Sequence, residues 1–219
     1  MVAFVQLYNS GPTYKEHPYS LVHAKPNNPV TPAMISLTAR EAGLSIPELN
    51  LVDTSGRRFD LYSILNSKPV FLLFILDTCP CSYEGEPFYN RIEKRLGQKI
   101  QFIGITNANT TRAKEWKHEL HVQFPIVCDP DLKLMRMFKA QHSAFSFLIL
   151  QNHRIAKMWP GFSQSLLANI TDTLASTINE QAPKIDFSDA PLQNTSGCFF
   201  YASVAKAIRP AQVKQKSKA

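Results

Sequence analysis

Two cysteines with one proline between them, Cys79-Pro80-Cys81, are the residues of this chain best suited to chemistry. A thiolate attacks disulfides and peroxides and binds soft metal ions, whereas a thiol does so poorly. The surroundings decide which form is present. An apolar run, Val70-Phe-Leu-Leu-Phe-Ile-Leu76, precedes the pair and suits a buried strand. After the pair, Phe88, Ile92 and Leu96 recur at helical spacing, which predicts a helix over 84–96. The pair therefore lies at a strand-to-helix junction. A helix N-terminus offers unpaired N–H groups and the positive end of the helix dipole, and both favour a thiolate. Pro80 suits a first helical turn. Cys79 is thus the expected nucleophile. Cys81 is placed to resolve an oxidised Cys79 through a strained C-x-C bridge, to act as a second metal ligand, or only to pack. Either Asp77 or Thr78 can cap the helix. Thr78 can also hydrogen-bond the thiolate, while the charge of Asp77 would push the thiol pKa up.

The elements that must position this pair alternate along the chain. Short strands are expected at 46–52 and just after Arg58, with a turn at Thr54-Ser-Gly-Arg57 between them. A helical turn then ends near Leu65. Further strands are expected at 70–76 and 100–106, and helices at 111–121 and 132–138. A hairpin over 145–158 turns at Gln151-Asn-His153, and a long helix over 163–178 has Ser163 as its cap. Strands and helices in this order imply an α/β domain, a mixed sheet covered on both faces, over 43–181. Residues 1–42, rich in Pro, Asn and Tyr, read as an extended N-terminal arm. Residues 182–219 read as an irregular segment ending in a disordered basic tail.

Composition narrows the function classes. The chain has 219 residues, 44% of them hydrophobic, enough for one well-buried domain with extensions. No apolar stretch approaches the roughly 20 residues of a membrane span. The net charge of +7 sits partly in the tail, at Lys206, Arg209, Lys214, Lys216 and Lys218. No aromatic residue interleaves with the last of these and no nucleic-acid module accompanies them, so neither nucleic acid nor membrane is expected as a partner. The first residues, Met-Val-Ala-Phe-Val-Gln-Leu-Tyr, carry neither a basic nor a long apolar leader region, and a cytoplasmic location is the expectation. The four cysteines are Cys79, Cys81, Cys128 and Cys198. In such a chain redox or metal chemistry outweighs a structural disulfide framework. Cys128, and the tryptophans Trp116 and Trp159, read as packing residues.

Four pieces carry a resemblance. Gly43-Leu-Ser-Ile-Pro-Glu-Leu-Asn-Leu-Val-Asp-Thr-Ser-Gly-Arg-Arg-Phe-Asp-Leu61 looks like the opening of the AhpC/TSA-like, or redoxin, branch of the thioredoxin superfamily. Lys68-Pro-Val-Phe-Leu-Leu-Phe74 looks like its central strand. Phe124-Pro-Ile-Val-Cys-Asp-Pro-Asp-Leu-Lys-Leu-Met-Arg-Met-Phe138 looks like its D-P-D step before a helix, and Phe147-Leu-Ile-Leu150 like its late strand. The resemblance implies a thioredoxin-like fold and a thiol-dependent oxidoreductase, peroxiredoxin-like or a thiol-disulfide redox protein, with no cofactor. Its substrate would be a peroxide or a disulfide, and its reductant a thiol such as a thioredoxin-like protein. The chain departs from the family in three places. A peroxiredoxin sets Thr three residues before its active cysteine, where Leu76 precedes Cys79; Thr78 stands three before Cys81, but Phe74 then replaces the family's Pro. Ser143-Ala-Phe-Ser146 holds no arginine. A thioredoxin has C-x-x-C and a cis-proline, which falls at Ala144 here.

Two further residues enter through relatives of this fold. His142 resembles the loop histidine of Sco-type copper chaperones, which implies Cys79, Cys81 and His142 as an alternative Cu(I) set. Cys198 stands in an apolar patch, Thr195-Ser-Gly-Cys-Phe-Phe-Tyr201. That patch reads as an anchor docked on the core. Some peroxiredoxins carry a resolving cysteine in a C-terminal arm, so the resemblance also makes Cys198 a candidate to resolve Cys79, within one chain or across a homodimer. A redox-inert binding domain is the remaining alternative.

Overall fold

The computed structural model describes residues 28–200. The chain enters through α1 (Pro32–Glu41), capped by the Thr31 hydroxyl, which accepts from the Met34 N–H at 3.3 Å, with Pro32 at the first helical position. This helix replaces the extended arm expected there. Its Met34 and Leu37 are buried, but two apolar contacts on one helix are too few to register as periodicity. Residues 1–27 and 201–219, which include most of that arm and the basic tail, lie outside the described residues.

A small antiparallel pair follows, β1 (Asn50–Val52) and β2 (Arg58–Asp60), in register Leu51 to Phe59. Asp60 then caps α2 (Leu61–Leu65) by accepting from the Tyr62 and Ser63 N–H groups. The main sheet contains β3 (Val70–Ile75), β4 (Gln101–Thr106), β5 (Ile126–Cys128), β6 (Ser146–Ile149) and β7 (Ile155–Trp159). Its spatial order is β5-β4-β3-β6-β7. The β3–β4 and β4–β5 pairs are parallel, while β3–β6 and β6–β7 are antiparallel. The mixed α/β sheet is the one expected. Every residue of β3 is buried, as a strand central to such a sheet requires.

Helices α3 (Pro80–Leu96), α4 (Thr110–Glu119), α5 (Lys133–Met137) and α6 (Gln164–Thr177) complete the fold. Asn109 caps α4 and Ser163 caps α6, each accepting a first-turn N–H at 3.0 and 3.1 Å. Phe71 packs against Tyr89, Phe102 and Trp159, and Phe74 against Phe138 and Phe147, with ring centroids 5.0–6.1 Å apart. Trp116 and Trp159 are both buried. No helix among the described residues is long and apolar enough to cross a membrane. Residues 182–200 are irregular, as expected, yet they are held: Phe187, Ala190 and Phe200 are buried against the domain.

One buried group on α3 sits uneasily in this core. Glu86 is fully buried, and neither carboxylate oxygen has a hydrogen-bond partner among the described residues. Desolvation pushes its pKa well above the usual carboxylate value of 4.5, so the native state carries it as a neutral acid. In the unfolded chain it ionises near 4.5. Its contribution to stability is therefore full below that pH and is lost as pH rises toward the native pKa. We expect Glu86→Gln to raise the urea midpoint at pH 7 and to leave it nearly unchanged at pH 4. Parallel wild-type and variant unfolding curves at the two pH values check this.

Candidate active site

Cys79 ends the turn that leaves β3 and is itself the N-cap of α3. Thr78 before it takes a left-handed φ of 71°, which reverses the chain and leaves the Thr78 side chain exposed. The first helical amides do not reach the sulfur. The Ser82 and Tyr83 N–H groups donate to the Cys79 carbonyl at 3.0 and 3.4 Å, and the Cys79 side chain makes no capping bond. The helix amides expected to hold the thiolate are thus taken up by backbone. Neither Asp77 nor Thr78 is the cap. The Asp77 carboxylate faces Arg112 at 3.0 Å, so its charge is neutralised there rather than turned on the sulfur.

The donors to Cys79 come from distant segments. The Ser143 hydroxyl donates to Sγ at 3.2 Å and the Cys198 backbone N–H at 3.1 Å. The hydroxyl expected from Thr78 is therefore supplied by Ser143. Pairing of β3 continues past β6: the Phe74 N–H donates to the Phe145 carbonyl, and the Ala144 N–H to that of Phe74. These bonds bring Ser143 level with the end of β3, beside Cys79. The Cys198 and Cys81 thiols also hydrogen-bond the sulfur. These thiols, with Ser143 and the Cys198 N–H, hold Cys79 well below the ordinary thiol range despite its burial. Cys81 and Cys198 are driven the opposite way, first by their bonds to Cys79, then by burial and the Cys79 charge. One anionic sulfur is thus shared among three cysteines. The Asn28 amide donates to both other sulfurs, to Cys198 at 3.6 Å and to Cys81 at 3.8 Å.

All four cysteines are free. Cys128 lies apart at the end of β5, its thiol pushed up by burial. His142 borders the site, but its Nδ1 lies 3.1 Å from the Gly197 carbonyl, to which it can only donate. Burial lowers its pKa. Among the described residues no group of three or more His, Cys, Asp and Glu side chains could hold a metal ion. Ser143 and Asn28 are the site residues the sequence reading missed. No local signal marks either one, since each acts only through contact with residues far along the chain.

The AhpC/TSA family model matches residues 42–158, just over half of the chain. The chain belongs to the AhpC/TSA family. Membership agrees with the resemblance read from the sequence and places the protein in the thioredoxin superfamily of thiol-dependent oxidoreductases. One relative is the thiol-disulfide oxidoreductase ResA of Bacillus subtilis (strain 168), 27% identical over 121 residues, or 54% of this chain and 67% of ResA. A chain assigned as the thiol:disulfide interchange protein DsbE of Chlorobium tepidum superposes with a TM-score of 0.57 at 19% identity, over 63% of this chain and 97% of its own. The peroxidoxin BcpB of Mycobacterium tuberculosis does so with 0.53 at 15%, over 64% and 98%. Both share the thioredoxin-like fold.

Removal of the Ser143 hydroxyl takes one of the sulfur's donors. A hydrogen bond to a charged group contributes about 1.5–3 kcal/mol, or about one to two pH units. The ultraviolet absorbance of the Cys79 thiolate should persist far below the ordinary thiol pKa of about 8.5. In Ser143→Ala it should titrate about one to two units higher than in the wild type. Loss of thiolate absorbance near 8.5 in the wild type would contradict the assigned charge state.

Proposed function

We propose that this protein is a thiol–disulfide oxidoreductase in which Cys79 attacks and Cys198 resolves. The observation that carries the reading is the placement of Cys198. Its thiol and its N–H both engage the Cys79 sulfur, although the two residues lie 119 apart in sequence. Cys79 enters as the thiolate and displaces one sulfur of a substrate disulfide, which leaves as a thiolate and takes up a proton. The other substrate sulfur stays bound to Cys79 as a mixed disulfide. Cys198 then loses its proton and attacks Cys79, and the second substrate sulfur departs. The substrate has gained two electrons, and the chain holds a Cys79–Cys198 disulfide. A dithiol reductant, of the kind a thioredoxin-like protein supplies, takes over the disulfide and frees Cys79 and Cys198 again. Asn28 donates to both Cys198 and Cys81 and supports either sulfur when it becomes anionic. Cys81 is the alternative resolving cysteine, limited by the strain of a C-x-C bridge.

A second reading, peroxide reduction, draws on one observation: Cys79 is only 1% exposed. A hydroperoxide is small enough to reach such a sulfur without displacing much chain. The thiolate would take the distal oxygen to form a sulfenic acid, releasing the alcohol, and Cys198 would condense with it, releasing water.

Mass-spectrometric mapping after one equivalent of a disulfide or a hydroperoxide separates these outcomes. We expect a Cys79–Cys198 bridge in the wild type and no reaction in Cys79→Ser. Cys198→Ser should stop at the mixed disulfide on Cys79. Unchanged turnover in Cys198→Ser with a Cys79–Cys81 bridge would transfer the resolving role to Cys81. Oxidation by hydroperoxide alone would favour the second reading.

A further inference from the structure

Residues 194–200 lie against the buried Cys79, with the Cys198 N–H on its sulfur. This segment joins no sheet and makes only isolated antiparallel bridges, at Thr195 and Phe199, before Phe200 turns helical, yet its backbone is bonded along both sides. On one side the Ser143 N–H donates to the Cys198 carbonyl at 3.1 Å, the Gly197 N–H to the Ser143 carbonyl at 2.9 Å, and the Phe200 N–H to the Gln141 carbonyl at 3.0 Å. On the other side Thr195 exchanges two bonds with Phe162, both 2.9 Å. The Ser196 N–H reaches the Asn28 carbonyl at 2.7 Å, and the Val30 N–H reaches that of Asn194 at 3.1 Å. Two glycines permit the approach. A Cβ on Gly197 would lie 1.7 Å from the Ser143 hydroxyl oxygen and 2.6 Å from its carbonyl oxygen. A Cβ on Gly161 would lie 2.1 Å from the Thr195 carbonyl oxygen. At its end, Phe200 is fully buried while neighbouring Phe199 is 41% exposed.

Disulfide exchange requires the incoming sulfur to touch the attacking one. Beside Cys79, the groups that pair with an extended backbone are the N–H and carbonyl of Ser143, and this segment already holds both. It places a cysteine of its own against the nucleophile. We propose that residues 194–200 form a displaceable strand in the position of a partner's cysteine-bearing segment, so that the site takes an extended peptide disulfide once the strand leaves. This proposal rests on the thiol–disulfide reading above. A partner backbone would replace the two bonds at Ser143, strand against strand. The returning strand then brings Cys198 back to Cys79, resolves the mixed disulfide and expels the product from the same place.

The test uses the full chain as Cys198→Ser, so that mixed disulfides accumulate, with and without Gly197→Ala. The Ala methyl cannot fit while the strand is docked. Probes are iodoacetamide, a small aromatic disulfide, and a short unstructured peptide whose one cysteine is capped by the same aromatic thiol. Rates are compared above the ordinary thiol pKa, so that protonation of Cys79 does not enter. We expect Gly197→Ala to accelerate all three reactions at Cys79 about tenfold or more, which corresponds to about 1.4 kcal/mol of lost strand docking. The peptide should then outpace the small disulfide, and N-methylation of the peptide amides flanking its cysteine should remove that advantage. Phe200→Ala, which removes the buried anchor, should give the same ordering. No acceleration of alkylation in either variant would overturn the displaceable strand. Equal acceleration of both disulfides, with no peptide preference, would overturn the partner while leaving thiol–disulfide exchange intact. Faster alkylation with no exchange by either disulfide would instead reject the thiol–disulfide reading, and the partner with it.

Discussion

An anionic sulfur with 1% of its surface exposed must be met by donors, and the arrangement of this molecule around Cys79 follows from that requirement. Water cannot solvate the charge, so protein groups do. A hydroxyl from the loop before β6, a backbone N–H from the C-terminal segment and two neighbouring thiols surround it. Apart from Cys81, these donors come from stretches of chain far from Cys79 in sequence. The site therefore exists only when the sheet, the helix after it and the terminal segment are assembled together.

The helix start has a narrower part in this than its position suggests. Cys79 serves α3 with its carbonyl, which accepts the first amides, while its side chain turns toward Ser143 and Cys198. Pro80 at the first helical position supplies no N–H at all. A helix can thus begin at a reactive cysteine without donating hydrogen bonds to its sulfur. The dipole still favours negative charge nearby. Specific bonding comes mostly from elsewhere, from Cys198 and Ser143, and the local C-P-C sequence adds only the Cys81 thiol.

Both ends of the described chain converge on the same place. Asn28, ahead of α1, donates to two of the three clustered sulfurs, and its carbonyl holds Ser196. Val30 binds Asn194, and Phe162, just before α6, pairs with Thr195. The terminal segment is consequently fastened by backbone, with Phe200 buried at its end. Two glycines set how closely it can lie, because any side chain at 161 or 197 would collide with the opposing backbone.

The sequence by itself determined the layers. The seven-residue apolar run became the fully buried β3, Ser163 caps α6, and the C-P-C pair lies at the junction it implied, because these features rest on local periodicity and capping. Tertiary structure alone decided what surrounds the sulfur. Ser143 and Asn28 carry no signal in their own neighbourhoods, since a hydroxyl or an amide becomes a thiolate donor only by where folding leaves it. The same holds for α1, which buries only two apolar residues. Cys198 was visible as a cysteine in an apolar patch, but its distance from Cys79 was not. Hydrogen bonds over 119 residues depend on loop closure and backbone pairing, and no sequence window of helical or strand length contains both ends.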